Sequence, residues 1–259
     1  MRAIWSGALS FGLVNIPVKL YSAIEEKYLH FDLLRKDDLS PIKYMRVAKV
    51  DGKEVPFEEI VKGYEYRKGQ YVVLTEEDFR KADVKKTGTI DILGFTREDA
   101  VDPIFFEKPY YLEPEKSAEK PYALLVEAMK RAKKVGIAKI VLRNRERLGV
   151  LKPLKNGLVL DQIRYGYEIR SIDELNTPAA KDIKEPELEM AGTLIDKLTI
   201  DFDPLQFDDS YREAIKSMIE EKAQGKEIQP RGEEPELVEA ENLMERLRES
   251  LKEPQPAHG

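Results

Sequence analysis

The chain has 259 residues, with 43 Lys and Arg against 49 Asp and Glu, and a formal net charge of -6. It has no cysteine and only two histidines, His30 and His258, which excludes disulfides, thiolate zinc sites and cysteine nucleophiles. No apolar run approaches the roughly 18 residues a membrane span needs, and no signal-peptide core opens the chain, so a soluble intracellular protein with no membrane partner is expected. Charge is unevenly placed. Residues 130–155 hold ten Lys and Arg with Glu146 as the single acid, whereas 181–221 hold twelve acids and five bases. A polyanion responds to the local field and not to the total, so the two regions suit different partners.

Taken in order, Val14, Ile16, Val18 and Leu20 alternate with Asn15, Pro17, Lys19 and Tyr21, which predicts two strands over residues 4–24 around Ser10-Phe11-Gly12. Leu29, Phe31 and Leu33 repeat the alternation as a third strand. Residues 42–50 read as extended but carry charge on both sides, with Lys43 and Lys49 opposite Arg46. Asp51-Gly52 is a strong two-residue hairpin signal, Pro56 opens a short helical piece that stops at Gly63, and Lys68-Gly69 is a second turn before a strand at 70–74. Residues 28–70 thus read as a strand-rich excursion projecting from the main body. Exposed strand edges are a liability, so such an excursion needs a reason to exist.

Thr75 followed by Glu76, Glu77 and Asp78 is an N-cap with acids in the first turn, which predicts a short helix to about Ala82. Strands are predicted at 87–95, 104–106 and 110–112. Pro121 then opens a helix with Leu124, Leu125, Ala128, Met129 and Ala132 as its apolar stripe and Gly136 as its stop. In 137–145, Ala138, Ile140 and Leu142 face one way and Lys139, Val141, Arg143 and Arg145 the other, so three cations share one side of one strand. Strands at 148–154 and 158–164 flank Asn156-Gly157, a hairpin signal. Many short strands with one long helix imply a mainly β fold with α, built as a barrel or a strongly curled sheet.

Beyond Ser171 the composition changes. Leu188, Ala191, Ile195 and Leu198 recur at helical spacing, Asp203-Pro204 breaks that helix, and Asp209-Ser210 begins another with Ile215, Met218 and Ile219 on one stripe. Residues 224–235 form a polar linker, and 236–252 an amphipathic helix with Leu237, Leu243, Met244, Leu247 and Leu251.

The segments MRAIWSGALSFGLVNIPVKLYSA, PIKYMRV, DGKEVPFEEIVKGYEY, KGQYVVLTEEDF, PIFFEKPYYLEP, IAKIVLRNRE and LIDKLTIDFDPLQFDDSYREAI follow one another over roughly residues 1–225. Together, and in that order, they resemble the bacterial Ku proteins, the DNA-end-binding factors of non-homologous end joining. LVEAENLMERLRESLKE looks like the short C-terminal module of the same proteins. The resemblance implies a Ku core β-barrel of SPOC-like type over 1–185, with 28–70 as a projecting bridge that encircles DNA. It further implies a helical dimerisation arm over 186–225 that uses Leu188, Ile195, Leu198, Ile215, Met218 and Ile219. Residues 226–259 would be a linker and a ligase-recruiting helix, with Leu237, Leu243, Met244, Leu247 and Leu251 as its contacts. The implied partners are double-stranded DNA ends, a second copy of the chain and an ATP-dependent DNA ligase, in a cytoplasmic, nucleoid-associated protein. Many relatives carry a cysteine near Ala48, so a metal or redox role at that spot has no ligands here. The long lysine-rich tail of some relatives has no counterpart in this sequence, and DNA affinity is therefore expected from the core.

Lysines and arginines on strands and turns suit phosphate contact without sequence reading, and nothing resembles a major-groove recognition helix. Lys139, Arg143 and Arg145 are expected to face DNA, because three outward cations on one strand repel each other without an anion. Lys43, Arg46, Lys49, Lys53 and Arg67 fit phosphate contact or solubilising charge on an exposed ribbon equally well. Lys130, Arg131, Lys133 and Lys134 read as the solvated end of a helix, where cations are favourable. Trp5 is assigned to the core and His30 to a strand surface. No GxxxxGK, HExxH or GxSxG motif is present, so no catalytic residue, metal site or cofactor is expected. The alternatives are a metal-dependent nuclease and a protein-only scaffold without preference for DNA ends.

Overall fold

The computed structural model describes residues 1–82, 88–143, 145–178, 183–226 and 243–252. The chain divides into two compact units, Met1–Glu174 and Leu175–Gly259.

The first unit is organised by a closed barrel of seven strands. These are β1 (Trp5–Phe11), β2 (Val14–Ser22), β5 (Thr89–Thr96), β6 (Phe106–Pro114), β7 (Val135–Leu142), β8 (Arg145–Leu154) and β9 (Gly157–Ile163). Around the barrel the order is β1-β2-β6-β9-β8-β7-β5. Every pairing is antiparallel except the closing one, where Ala8, Leu9 and Ser10 of β1 run parallel to Thr89, Ile90 and Asp91 of β5. The alternation read in β2 becomes inside and outside, and Ile16, Val18 and Leu20 are almost fully buried. They meet Leu9, Ile90, Ala138, Ile140, Leu151 and Leu160 in the interior. The outer face of β7, β8 and β9 is covered as well, by Val101, Phe105 and Phe106, which pack against Val135, Val150 and Ile163. Covered on both sides, β9 is buried along nearly its whole length and shows no alternation.

Helix α2 (Glu119–Ala132) packs at one end of the barrel, where β6 ends and β9 begins. Its buried residues are Tyr122, Leu125, Val126 and Met129, spaced for one helical face. The Tyr122 hydroxyl donates to the Leu112 carbonyl at 2.7 Å and accepts from the Leu158 N–H at 2.7 Å, fastening the helix to a paired position of β6 and β9. The predicted stripe is corrected on one side, because Leu124 is 70% exposed. The helix stops at Lys133, which adopts a left-handed conformation (φ 50°), and the Lys134 N–H returns to the Met129 carbonyl. Gly136, predicted as the stop, already lies in β7.

Residues 23–88 leave the barrel after Ser22 and return at Thr89. They hold a two-stranded ribbon, β3 (Lys62–Arg67) and β4 (Gln70–Leu74), and helix α1 (Glu76–Ala82). The turn at the ribbon tip is as predicted, whereas the two-residue hairpin predicted at Asp51-Gly52 is corrected to a four-residue loop, 49–52, closed where Ala48 meets Lys53. Gly69 sits at φ +78° with its N–H on the Glu65 carboxylate, and Gly52 at φ +70° lies between an Ala48 N–H to Lys53 carbonyl bond and a Val47–Glu54 bridge. Thr75 and Asp78 cap α1 reciprocally. The third strand predicted over 29–33 does not form, residues 42–50 carry only the isolated bridge at Val47, and the piece after Pro56 is one 3-10 turn, Phe57–Glu59. Extended segments with no neighbouring strand have nowhere to place their backbone hydrogen bonds, so alternation alone does not make them strands. Ile104, predicted in a strand, belongs to a 3-10 turn capped by Asp102.

The second unit contains α3 (Glu185–Leu198), α4 (Ser210–Ala223) and α5 (Leu243–Lys252). Asp209 caps α4 by accepting the Arg212 N–H at 2.9 Å, and Asp203 caps the 3-10 turn after the proline break. Helix α5 packs against α3, and the Lys197 ammonium donates to the Leu251 carbonyl at 2.8 Å, a favourable cation at a helix C-terminus.

Candidate functional site

The basic stretch at 130–155 is divided by the fold. In antiparallel pairs directly opposed residues share a face. The register sets Ile140 opposite Arg147 and Leu142 opposite Arg145. Ile140 is a core residue, so Arg145 and Arg147 project on the interior face at the barrel mouth. Lys139 opposes Leu148 on the outer face. There its ammonium lies 2.8 Å from Glu146. That contact holds the Glu146 carboxyl below its ordinary range, with help from the Tyr165 hydroxyl, which donates to Glu146 at 3.0 Å.

The predicted wall of Lys139, Arg143 and Arg145 on one strand is therefore corrected. Strand β7 ends at Leu142, Arg143 occupies the turn with φ +51°, and Arg145 begins β8. The anion missing from the sequence reading of Lys139 is Glu146, brought to it across the hairpin.

Arg143, Arg145 and Arg147 line a concavity of about 770 Å³ at this mouth, together with Arg2, Trp5, Lys108, Tyr110 and Gln162. Glu107, the one carboxylate on the wall, is already engaged by the Gln162 amide at 2.8 Å and by Arg164 at 3.3 Å. Among the described residues no carboxylate pairs with Arg2, Lys108, Arg143, Arg145 or Arg147. Burial holds the Tyr110 phenol above its ordinary range, an effect that Arg143 and Arg147 only partly offset and to which Glu107 adds. Trp5 is partly buried against the core and also forms part of this wall. Ser22, where the excursion leaves the barrel, lines the same concavity.

Sequence reasoning missed Arg2, Lys108 and Arg147. The signal for Arg147 was available in its spacing of two from Arg145 within a strand, but it needed the turn at Arg143 to be recognised. Nothing local marked Arg2 and Lys108, which barrel closure brings to the site from the segment before β1 and from β6.

The cations of the excursion are scattered and exposed. Arg46 lies over the Phe57 ring at 5.2 Å, Lys53 pairs with Asp51 at 3.5 Å, and Lys43, Lys49 and Arg67 face solvent. His30 is also exposed, outside any strand. Among the described residues no three His, Asp or Glu side chains converge as a metal-ligand set, and no helix is long and apolar enough to cross a membrane.

The ribbon β3–β4 exposes apolar side chains on both faces, among them Tyr64, Tyr66, Tyr71 and Val73. On α3, Leu188, Ile195 and Leu198 are exposed while Met190, Ala191 and Leu194 are half-buried. On α4, Ile219 is exposed and Ile215 and Met218 are half-buried. On α5, Met244, Leu247 and Leu251 are half-buried; Leu237 and the side chain of Leu243 lie outside the described residues.

Residues 10–190 match the family model described as the Ku70/Ku80 beta-barrel domain. The chain belongs to the Ku family. It is 48% identical over 223 residues to the "Non-homologous end joining protein Ku" of Opitutus terrae, covering 86% of this chain and 80% of that one. It is 44% identical over 251 residues to the protein of the same name from Anaeromyxobacter sp. (strain K), covering 96% and 85%. With the Symbiobacterium thermophilum protein the identity is 40% over 97% of this chain and 63% of the relative. The Ku match takes in β2 to β9, the excursion and the start of α3, so Lys108, Arg143, Arg145 and Arg147 lie within the matched domain, whereas Arg2 and most of β1 precede it.

Proposed function

We propose that this Ku-family chain binds double-stranded DNA ends as a homodimer, without reading sequence, and acts in non-homologous end joining. The reading rests on one observation. The mouth of the barrel is lined by Arg2, Lys108, Arg143, Arg145 and Arg147, which have no carboxylate partner among the described residues, at the root of the 23–88 excursion. A duplex held between mouth and excursion would bring its phosphates to the exposed cations of this mouth. Such contacts position DNA, carry no base information and weaken with salt, at about 0.9 log units of affinity per contact per log unit of salt.

A second copy of the chain is favoured by the apolar surface left open on β3–β4 and on α3 and α4. A two-stranded ribbon with both faces in water is marginal alone, and exposed Leu188, Ile195 and Leu198 form a stripe that association would cover. Two excursions closing around a duplex would make a ring that loads only from an end. Helix α5 then remains as the contact for an ATP-dependent DNA ligase.

Mobility shift with linear duplex and with closed-circular DNA of the same sequence tests the mechanism. Stable complexes with the linear form alone are expected. Equal affinity for both would remove threading while leaving backbone binding in place.

A further inference from the structure

The cations at the mouth stand in two tiers. Arg2, Arg143 and Arg145 are exposed at the rim, whereas Lys108 and Arg147 are half-buried; Arg147 lies one interior position further along β8 than Arg145. A duplex spreads about one charge per 1.7 Å along its axis and presents a convex surface, which suits the rim. The inner tier sits within a concavity of about 770 Å³, inside the range of about 300–1,000 Å³ typical of small-ligand pockets. Half-buried cations without a counter-charge are unfavourable unless a ligand supplies one. Glu107 does not supply it, being held by Gln162 and Arg164.

We propose that Lys108 and Arg147 form a subsite for a doubly charged terminal phosphate, the group that ends both a free triphosphate chain and a 5′-phosphorylated DNA strand. The inference rests on reading the mouth as phosphate-facing, and adds a site that takes a compact anion inside the barrel end where a duplex flank does not reach. Arg147 offers a planar donor fork to two phosphate oxygens and Lys108 a point charge. The neutral Tyr110 hydroxyl and Gln162 amide line the same concavity.

The full chain titrated calorimetrically with inorganic tripolyphosphate, at about 50 mM salt to limit screening, is expected to show saturable binding. Arg147→Gln and, separately, Lys108→Gln should each weaken it about tenfold, the loss of one charge-assisted contact. Lys139→Gln, on the outer face, should leave it unchanged. Matched thermal melts identify a variant that has lost its fold, and the other variant then carries the comparison. No saturable binding, or binding that neither inner-tier variant weakens, overturns the subsite.

Blunt duplexes with 5′-phosphate and 5′-hydroxyl ends distinguish the sources. A preference for the phosphorylated end that Arg147→Gln removes assigns the subsite to the DNA terminus. Equal affinity, with tripolyphosphate binding intact, assigns it to a free ligand. Loss of the linear-over-circular preference with the tripolyphosphate isotherm intact would overturn the end-binding reading alone, and the reverse pattern this inference alone.

Discussion

Gly7 is where the barrel closes. A Cβ built there would lie 2.0 Å from the Gly88 carbonyl oxygen and 2.3 Å from the Trp5 ring, and the same carbonyl accepts the Ala8 N–H at 3.0 Å to open the β1–β5 seam. The carbonyl cannot yield without opening that seam. Gly7→Ala should therefore cost about 2–3 kcal/mol, as overpacking at a rigid site does, read as a lowered urea midpoint. Gly94→Ala, with nothing within 4 Å of its would-be Cβ, should stay within about 0.5 kcal/mol of the parent. Glu146 is a second site where one residue has a measurable signature. Its carboxyl is held low first by the Lys139 hydrogen bond and then by Tyr165, so its contribution is present above the ordinary carboxylate pKa of about 4.3 and is lost as pH falls through the folded value. Thermal melts from neutral pH down to about pH 3 should show a smaller acid loss for Glu146→Gln than for the parent. Tyr165, pushed up to about 12 by burial and by Glu146, acts at the other end. Its contribution is present below about pH 10 and is lost as pH rises through 12. None of this pairing was legible locally, because Lys139 and Glu146 meet only through the β7–β8 register.

Elements were legible where the chain supplies its own neighbours. The alternation in β2, the capping residues of α1 and α4, and the helical spacing in α3 each correspond to a formed element, since the signal and the partner lie within a few residues or within a hairpin. Alternation misled over Leu29, Phe31 and Leu33, where no strand lies alongside, and over Arg143, where a turn replaces the predicted strand. The stripe on α2 was displaced because Tyr122 and Val126 face the barrel while Leu124 does not, and only the helix's docking angle decides that. On α3 the structure distinguishes two sides: Met190 and Leu194 are half-buried, and Leu188 and Ile195 are open, at 51% and 66% exposure. If the open side is the dimer contact, Leu188→Glu with Ile195→Glu removes two apolar anchors worth about 1.5–3 kcal/mol each when buried. Light scattering should then report a monomer, with helix content by circular dichroism unchanged.

For the whole molecule, the acidic total concealed a basic site, because charge is partitioned between a barrel mouth and helices far along the chain. The family resemblance conveyed the barrel and its excursion as a unit, but the cations at the mouth come from the segment before β1, from β6, from β8 and from one turn, and no linear motif collects them. Partition also predicts separable activities. Removing residues 230–259 should leave preference for linear DNA in the mobility-shift assay and abolish stimulation of an ATP-dependent ligase in a joining assay. Loss of dimerisation in that variant would move the dimer contact away from 186–225.

The excursion has one further property that follows from how the barrel closes. Before it the chain has laid down β1 and β2, which place Leu9, Ile16, Val18 and Leu20 in the core at 1% exposure or less. After it the chain supplies β5 and β6, which grip those two strands from either side. A backbone cut within the excursion would therefore yield two pieces that share one interior, and the shorter piece would be retained by the same burial that holds the intact fold. The strap is fastened at both ends by non-covalent structure, so its peptide continuity and its attachment are independent properties.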